Sequence, residues 1–257
     1  MPYPLVEALG AGTGIICATG AGGKKSVLHR LLAAHPGRVG LTATVMSSLP
    51  ARDAVDVCRI AGASQLSARV PDDATRHRRV AFAAPASKPG RVAGLAPALV
   101  TELHHRSGFD VTLVKADGAR MRGIKAPRPD EPVIVPGCST VISVVSAAVI
   151  GQPLDERTAH RIELLRERLD IQPGALITAD HVGQLLSDPH GGRQHLGNAR
   201  HIALINQVDD PVRLAQARRA AHRALAAAKP PERVVLASMI ALEPIIEIVE
   251  PSPAAAD

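Results

Sequence analysis

Ile15-Ile16-Cys17-Ala18-Thr19-Gly20-Ala21-Gly22-Gly23-Lys24-Lys25-Ser26 leads from a short apolar run into a glycine-rich turn and two lysines. Val27, Leu28, Leu31 and Leu32 follow at helical spacing. Strand, glycine turn and helix in that order form the context in which a phosphate loop works. Glycines let backbone N–H groups turn toward an anion, the helix N-terminus adds its dipole, and a lysine brings a point charge. The alternative is a glycine-rich turn followed by two solvated lysines. Against G-x-x-x-x-G-K-S/T, Ala18 stands at the first glycine, Lys25 at the magnesium-binding hydroxyl, and Ser26 one place late. The nucleotide-binding candidates are therefore Gly20, Ala21, Gly22, Gly23, Lys24, Lys25 and Ser26.

Outward from this stretch, apolar runs alternate with helix-like segments. The strands expected are Ile15–Thr19, Val39–Thr42, Val80–Ala83, Val111–Lys115, Val141–Val145, Ile202–Ile205 and Val234–Ala237. Leu95, Leu99, Val100 and Leu103 recur at helical spacing, as do Ile162, Leu165 and Leu169. Asp210-Pro211 has the residue types of an N-cap and first helical position, opening an alanine-rich helix that runs to Lys229. This alternation predicts an α/β fold: a mainly parallel sheet with flanking helices, P-loop NTPase-like, with a small helical cap over residues 150–200. Residues 1–250 read as one domain. Residues 62–78 and 85–92, rich in Ser, Pro, Asp and Arg, read as loops, and 251–257 as a disordered tail.

Composition agrees with this class. Residues are 46% hydrophobic but only 1% aromatic, so small aliphatic side chains must build the core. The net charge of +6 suits phosphorylated small molecules, but the basic residues are scattered and no aromatic platform exists for stacking bases. Nucleic acid is not expected as a partner. Cys17, Cys58 and Cys138 have no C-x-x-C spacing, which argues against zinc or a redox motif, and Cys17 reads as a core residue. There is no basic-then-apolar leader, and the longest apolar run, Val141 to Ile150, is too short to span a bilayer. The chain reads as cytoplasmic.

A second set of candidates completes the site. Val111 to Lys115 is an apolar run that leads to Asp117, placed where a phosphate-loop protein holds its metal, although aspartate before Gly118 is also an ordinary turn. Arg120, Arg122, Lys125 and Arg128 follow, then Asp130 and Glu131. A basic loop at the carboxyl end of a strand suits an anionic substrate, or is simply solvated; Lys125, between Ile124 and Ala126-Pro127, is the preferred contact. Asn206-Gln207-Val208-Asp209 resembles the guanine-reading N-K-x-D turn with Gln207 in place of lysine, and is otherwise a capping turn. Leu236-Ala237-Ser238 then stands where a base-edge loop would. Thr42 and Thr44 stand at a strand end within reach of phosphate, or serve the strand itself. His104-His105 reads as solvated, and His190, His195 and His201 lack metal-ligand spacing.

In order along the chain, these motifs resemble the YqeC-type family of selenium-dependent molybdenum hydroxylase accessory proteins. The resemblance is carried by Gly20 to Lys25, Thr42-Ala43-Thr44, Lys115-Ala116-Asp117-Gly118-Ala119 and Lys125-Ala126-Pro127. Asp130 to Pro136, Gly151 to Glu156, His160-Arg161 and Ile205 to Asp209 continue it, from residue 5 or so to about residue 240. It implies phosphate binding by Gly20, Gly22, Gly23 and Lys24, a metal at Asp117, and substrate-side roles for Lys125 and Glu131. On this basis Lys24, Asp117, Lys125 and Glu131 are the catalytic candidates, Asn206 and Asp209 join the nucleotide site, and Asp117 with Ser26 would hold magnesium.

The resemblance further implies a nucleoside triphosphate (ATP, GTP or CTP) as ligand and a molybdenum hydroxylase or molybdopterin cofactor as partner. Two departures point the same way: Lys25 replaces a threonine and Lys115 a glutamate. Either both lysines face solvent, or they supply part of the charge that a divalent ion would bring. Two ammonium groups match that charge but not its octahedral geometry, so binding would persist while hydrolysis weakens. An NTPase, a nucleotide-dependent chaperone or cofactor carrier without turnover, and a small-molecule kinase or nucleotidyltransferase all remain open.

Overall fold

The apolar runs become strands that alternate with helices in a computed structural model describing residues 4–251. In chain order the elements are α1 (Leu5–Ala8), β1 (Gly14–Gly20), α2 (Lys24–Ala34), β2 (Val39–Ala43), β3 (Ser47–Ser48) and β4 (Val57–Ile60). They continue with α3 (Ala63–Arg76), β5 (Arg79–Pro85), β6 (Arg91–Ala93), α4 (Pro97–Ser107), β7 (Val111–Lys115), β8 (Ile124–Lys125) and β9 (Cys138–Ser146). β10 (Ala159–His160), α5 (Ile162–Leu169), α6 (Ala179–Ser187), β11 (Arg200–Asn206), α7 (Pro211–Leu225), β12 (Arg233–Ala237) and β13 (Ile245–Val249) complete the series.

Among the described residues the strands form an 11-stranded sheet in the order β13-β12-β11-β9-β1-β7-β2-β5-β6-β3, with β4 also paired to β5. β1 runs parallel to both neighbours, pairing Ile16 with Leu113 of β7 and with Thr140 of β9. Only β13, β6 and β3 enter antiparallel. The result is the expected α/β class, compatible with a phosphate-loop fold. A separate two-stranded sheet pairs β8 with β10, setting Lys125 beside His160.

Side chains on β1 alternate between the sheet's faces with the period of two that a strand dictates. Ile16 and Ala18 pack with Val27, Leu28, Leu31 and Leu32 of α2. Ile15 and Cys17 face the other way, onto Leu66 and Val70 of α3 and Val100 and Leu103 of α4. Cys17 is buried, as its place in the run implied. Farther along that second face, α5, α6 and α7 cover Val145, Ala203, Ile205, Val234 and Leu236. The segment 150–200 thus supplies α5 and α6 to this layer.

Three expectations need correction. Residues 63–76, read within a loop, form α3, with Pro71 inside it. Proline forfeits one backbone hydrogen bond, but Leu66, Val70 and Ala74 recur every four residues and are all buried with Val80 and Phe82 of β5. His104, read as solvated, is buried on α4, its Nδ1 2.9 Å from Thr112 Oγ1. Asp210 does cap α7, accepting from Arg213 N at 2.8 Å, but the helix ends at Leu225 rather than Lys229. Of the tail read as disordered, residues 252–257 lie outside the described residues.

Candidate functional site

β1 delivers Gly20 to the carboxyl end of the sheet, and α2 starts at Lys24, so Ala21 to Gly23 form the connecting turn. Gly20, Gly22 and Gly23 have φ of 83°, 82° and 117°, the region where glycine alone is unstrained. Space is equally restrictive. A Cβ on Gly20 would sit 2.2 Å from Val144 O, and one on Gly22 2.4 Å from Ser146 N. The turn is therefore pressed against β9.

Its inner amides are already committed. Gly20 N donates to Asp117 Oδ2 at 2.9 Å, Ala21 N to Val144 O at 2.8 Å, and Gly22 N to Arg122 O at 3.0 Å. The amides open to an anion are instead those of the first turn of α2, at Lys24, Lys25 and Ser26, which have no intrahelical acceptor. Of the candidate loop, the amides of Gly20, Ala21 and Gly22 are thus already bonded within the chain. Ser26, at that helix end, is exposed.

Lys24 turns inward. Its side chain is 5% exposed, its Nζ donates to Gly20 O and lies 2.8 Å from Asp117 Oδ1. That contact is an ion pair without an aligned hydrogen bond, so Asp117 Oδ1 keeps acceptor capacity. Burial pushes the Lys24 pKa down, and the neighbouring Asp117 charge opposes the shift. Lys125 closes the other side of the same carboxylate, with Nζ 2.8 Å from Asp117 Oδ2. It also reaches Glu131 Oε2 at 2.8 Å and Gly118 O at 2.8 Å.

Glu131 in turn holds Arg161 with two bonds of 2.5 and 2.6 Å. Burial would raise the Glu131 pKa, but the bonds from Arg161 and Lys125 win and hold it at about 2. Lys24, Asp117, Lys125, Glu131 and Arg161 therefore form one chain of alternating charge. The sequence candidates Lys24, Asp117, Lys125 and Glu131 are brought together here. Lys125, the preferred substrate contact, is wholly buried within the chain. Arg161 had no assigned role, because Glu131 lies 30 residues away and only the pairing of β8 with β10 brings them together. Its φ of 68°, unusual outside glycine, marks it structurally but leaves no trace in composition.

Magnesium does not fit these residues. A divalent ion at Asp117 would share one carboxylate with two ammonium groups, at strong like-charge cost in a buried setting. The lysine at the hydroxyl position, Lys25, points away and donates to Ser48 Oγ at 2.6 Å. Lys115 Nζ reaches Met46 O at 2.9 Å. Both lysines border a cavity of about 40 Å³ with Leu41, Phe82 and Val92 in its walls. Burial, with Lys24 nearby, lowers the Lys115 pKa to about 8.

The remaining candidates serve as ties. Asn206 Nδ2 donates to Gly22 O at 2.8 Å and its Oδ1 accepts from Met239 N at 3.2 Å, fastening β11 to the glycine turn. Asp209 accepts from Ser238 Oγ at 2.7 Å and pairs with Arg213 at 3.1 Å. It is partly exposed, beside the Leu236 to Ser238 segment expected to follow it. Thr42 and Thr44 spend their hydroxyls on Phe82 O and Val133 O, each at 2.7 Å. Among the described residues, no helix is long and apolar enough to cross a membrane.

A family profile described as "YqeC protein" matches residues 16–163, spanning the glycine turn, Asp117, Lys125, Glu131 and Arg161. An Escherichia coli (strain K12) protein described as "Uncharacterized protein YqeC" is 29% identical over 214 residues, covering 80% of this chain and 81% of that protein.

Proposed function

The chain belongs to the YqeC protein family, and from that premise we propose that it binds the phosphates of a nucleoside triphosphate at the N-terminus of α2. The observation that carries this reading is the glycine turn itself. Gly20 and Gly22 have backbones and clearances that admit only glycine, and they present Lys24 on the first turn of α2. Lys24 is held in reserve by Asp117, so an incoming phosphate exchanges one anionic partner for another.

The family resemblance extends the proposal to an accessory role, in the cytoplasm, in maturation of a selenium-dependent molybdenum hydroxylase or its cofactor. The geometry favours binding over turnover, because Asp117 is neutralised by lysines and Lys25 replaces the metal-binding hydroxyl. Regulated binding, rather than sustained hydrolysis, is the function this site suits.

A thermal-shift panel of ATP, GTP, CTP and molybdopterin-type ligands, each with and without magnesium, tests it. A ligand at 100 times its Kd stabilises by about 2.7 kcal/mol, enough to read without turnover. One nucleotide should raise the melting temperature with or without magnesium. No response to any nucleotide overturns the phosphate site, and strict magnesium dependence overturns the neutralising role given to Lys24 and Lys125.

A further inference from the structure

The far end of the charge chain opens into a cleft distinct from the glycine turn. Arg161 and Ala159 line it together with Arg120, Arg122, Arg128 and His160, enclosing about 640 Å³. That size falls within the usual range for small-molecule sites, roughly 300–1,000 Å³. Glu156 and Glu163 also border the cleft, but Glu163 is engaged by Arg166 at 3.2 Å. Among the described residues, neither Arg120, Arg122 nor Arg128 pairs with a carboxylate, whereas Arg161 beside them does. Three free guanidinium groups therefore converge on one concave surface.

The backbone that presents them is strained. Arg120 and Met121 have φ of 46° and 62°, and Arg161 on the facing segment has 68°. Such conformations are unfavourable for an L-residue and persist where the surrounding structure enforces them. Here the enforcement is visible: Arg122 N donates to Ala119 O, Arg122 O accepts from Gly22 N, and Gly123 N donates to Thr158 O. Arg161 Nε is buried without a hydrogen-bond partner, while its two terminal nitrogens hold Glu131. Burial and the charges of Arg161, Lys125 and Arg120 push the His160 pKa down to about 4, so the imidazole is neutral and the field around it is positive.

We propose that this cleft binds a second ligand, a small molecule carrying a phosphate or diphosphate group, held by Arg120, Arg122 and Arg128. Planar guanidinium groups match phosphate oxygens in pairs, which a scattered basic surface cannot do. The concave shape and the bordering carboxylates favour a compact ligand over an extended nucleic-acid backbone. This site does not depend on the nucleotide reading, since none of its arginines contacts Lys24.

Calorimetric titration of the full chain with inorganic pyrophosphate tests it. Arg122→Gln and Arg128→Gln should each weaken binding roughly tenfold or more, the loss expected for one charge-assisted contact. Both side chains are unpaired, so the variants should keep the wild-type melting temperature. Unchanged affinity in the double variant, or no binding by the wild type, overturns the proposal. Displacement of pyrophosphate by a single-stranded oligonucleotide at lower concentration, with steep salt dependence, overturns it in favour of nucleic acid. If the nucleotide reading fails, the cleft variants still decide this one, because they leave Lys24 and α2 intact.

Discussion

Lys24, Asp117, Lys125, Glu131 and Arg161 string five formal charges from the glycine turn to the cleft at Arg161, and each is acceptable there only because the next has the opposite sign. Removing one member of such a set leaves an uncompensated buried charge, which costs about 3–5 kcal/mol. Glu131 makes the arrangement sensitive to acid. Its pKa falls from the ordinary 4.5 to about 2, so its contribution to stability is complete above the unfolded value. It is lost as pH drops from the unfolded value through about 2. Thermal melts of wild type and Glu131→Gln should therefore differ most at neutral pH and converge toward pH 2. A constant difference across that window would show that Glu131 does not titrate with folding. Four of the five residues stood out in the sequence through their motifs. Arg161 stood in the His160-Arg161 motif but without a role, since nothing local links it to Glu131.

At the scale of elements, the connection from β1 to α2 depends on how closely β9 approaches it. Gly20→Ala would force an alanine into φ +83° and push its Cβ to 2.2 Å from Val144 O. The expected loss exceeds about 2 kcal/mol, from backbone strain plus displacement of β9. Gly12→Ala is the matched control, because a Cβ there meets nothing within 4 Å. Comparable melting temperatures for the two variants would refute the close-approach argument. The β1–α2 boundary was legible because strand, glycine and amphipathic helix are local patterns. α3 was not, because its composition reads as polar loop with a proline. Its Leu66, Val70 and Ala74 stripe gains value only once β5 lies beneath it. Asn206 was legible only as part of an N-x-x-D spacing; its bond to Gly22 O joins residues 184 apart in sequence, which no local pattern reveals.

For the whole molecule, β1 occupies the interior of the sheet, flanked by β7 and β9 and covered on both faces. Opening it requires breaking two parallel ladders and two cores, whereas β13 is an antiparallel edge strand bonded to β12 alone. Native-state hydrogen exchange should accordingly be slowest in β1, β7 and β9 and markedly faster in β13. Equal protection at edge and centre would contradict this hierarchy.

The amino-acid sequence by itself determined the α/β class, the positions of seven of the thirteen strands to within a few residues, and the glycine turn with its lysine. Those features follow from periodicity and from glycine's backbone freedom, which act over a few residues. Only the tertiary structure decided that the loop amides of Gly20 to Gly22 are spent internally. It likewise decided that Lys125 is buried between two carboxylates and that Arg120, Arg122 and Arg128 line the open cleft. Pairing and burial depend on which strands become neighbours and in what register, and that choice is made by contacts between residues far apart in the chain.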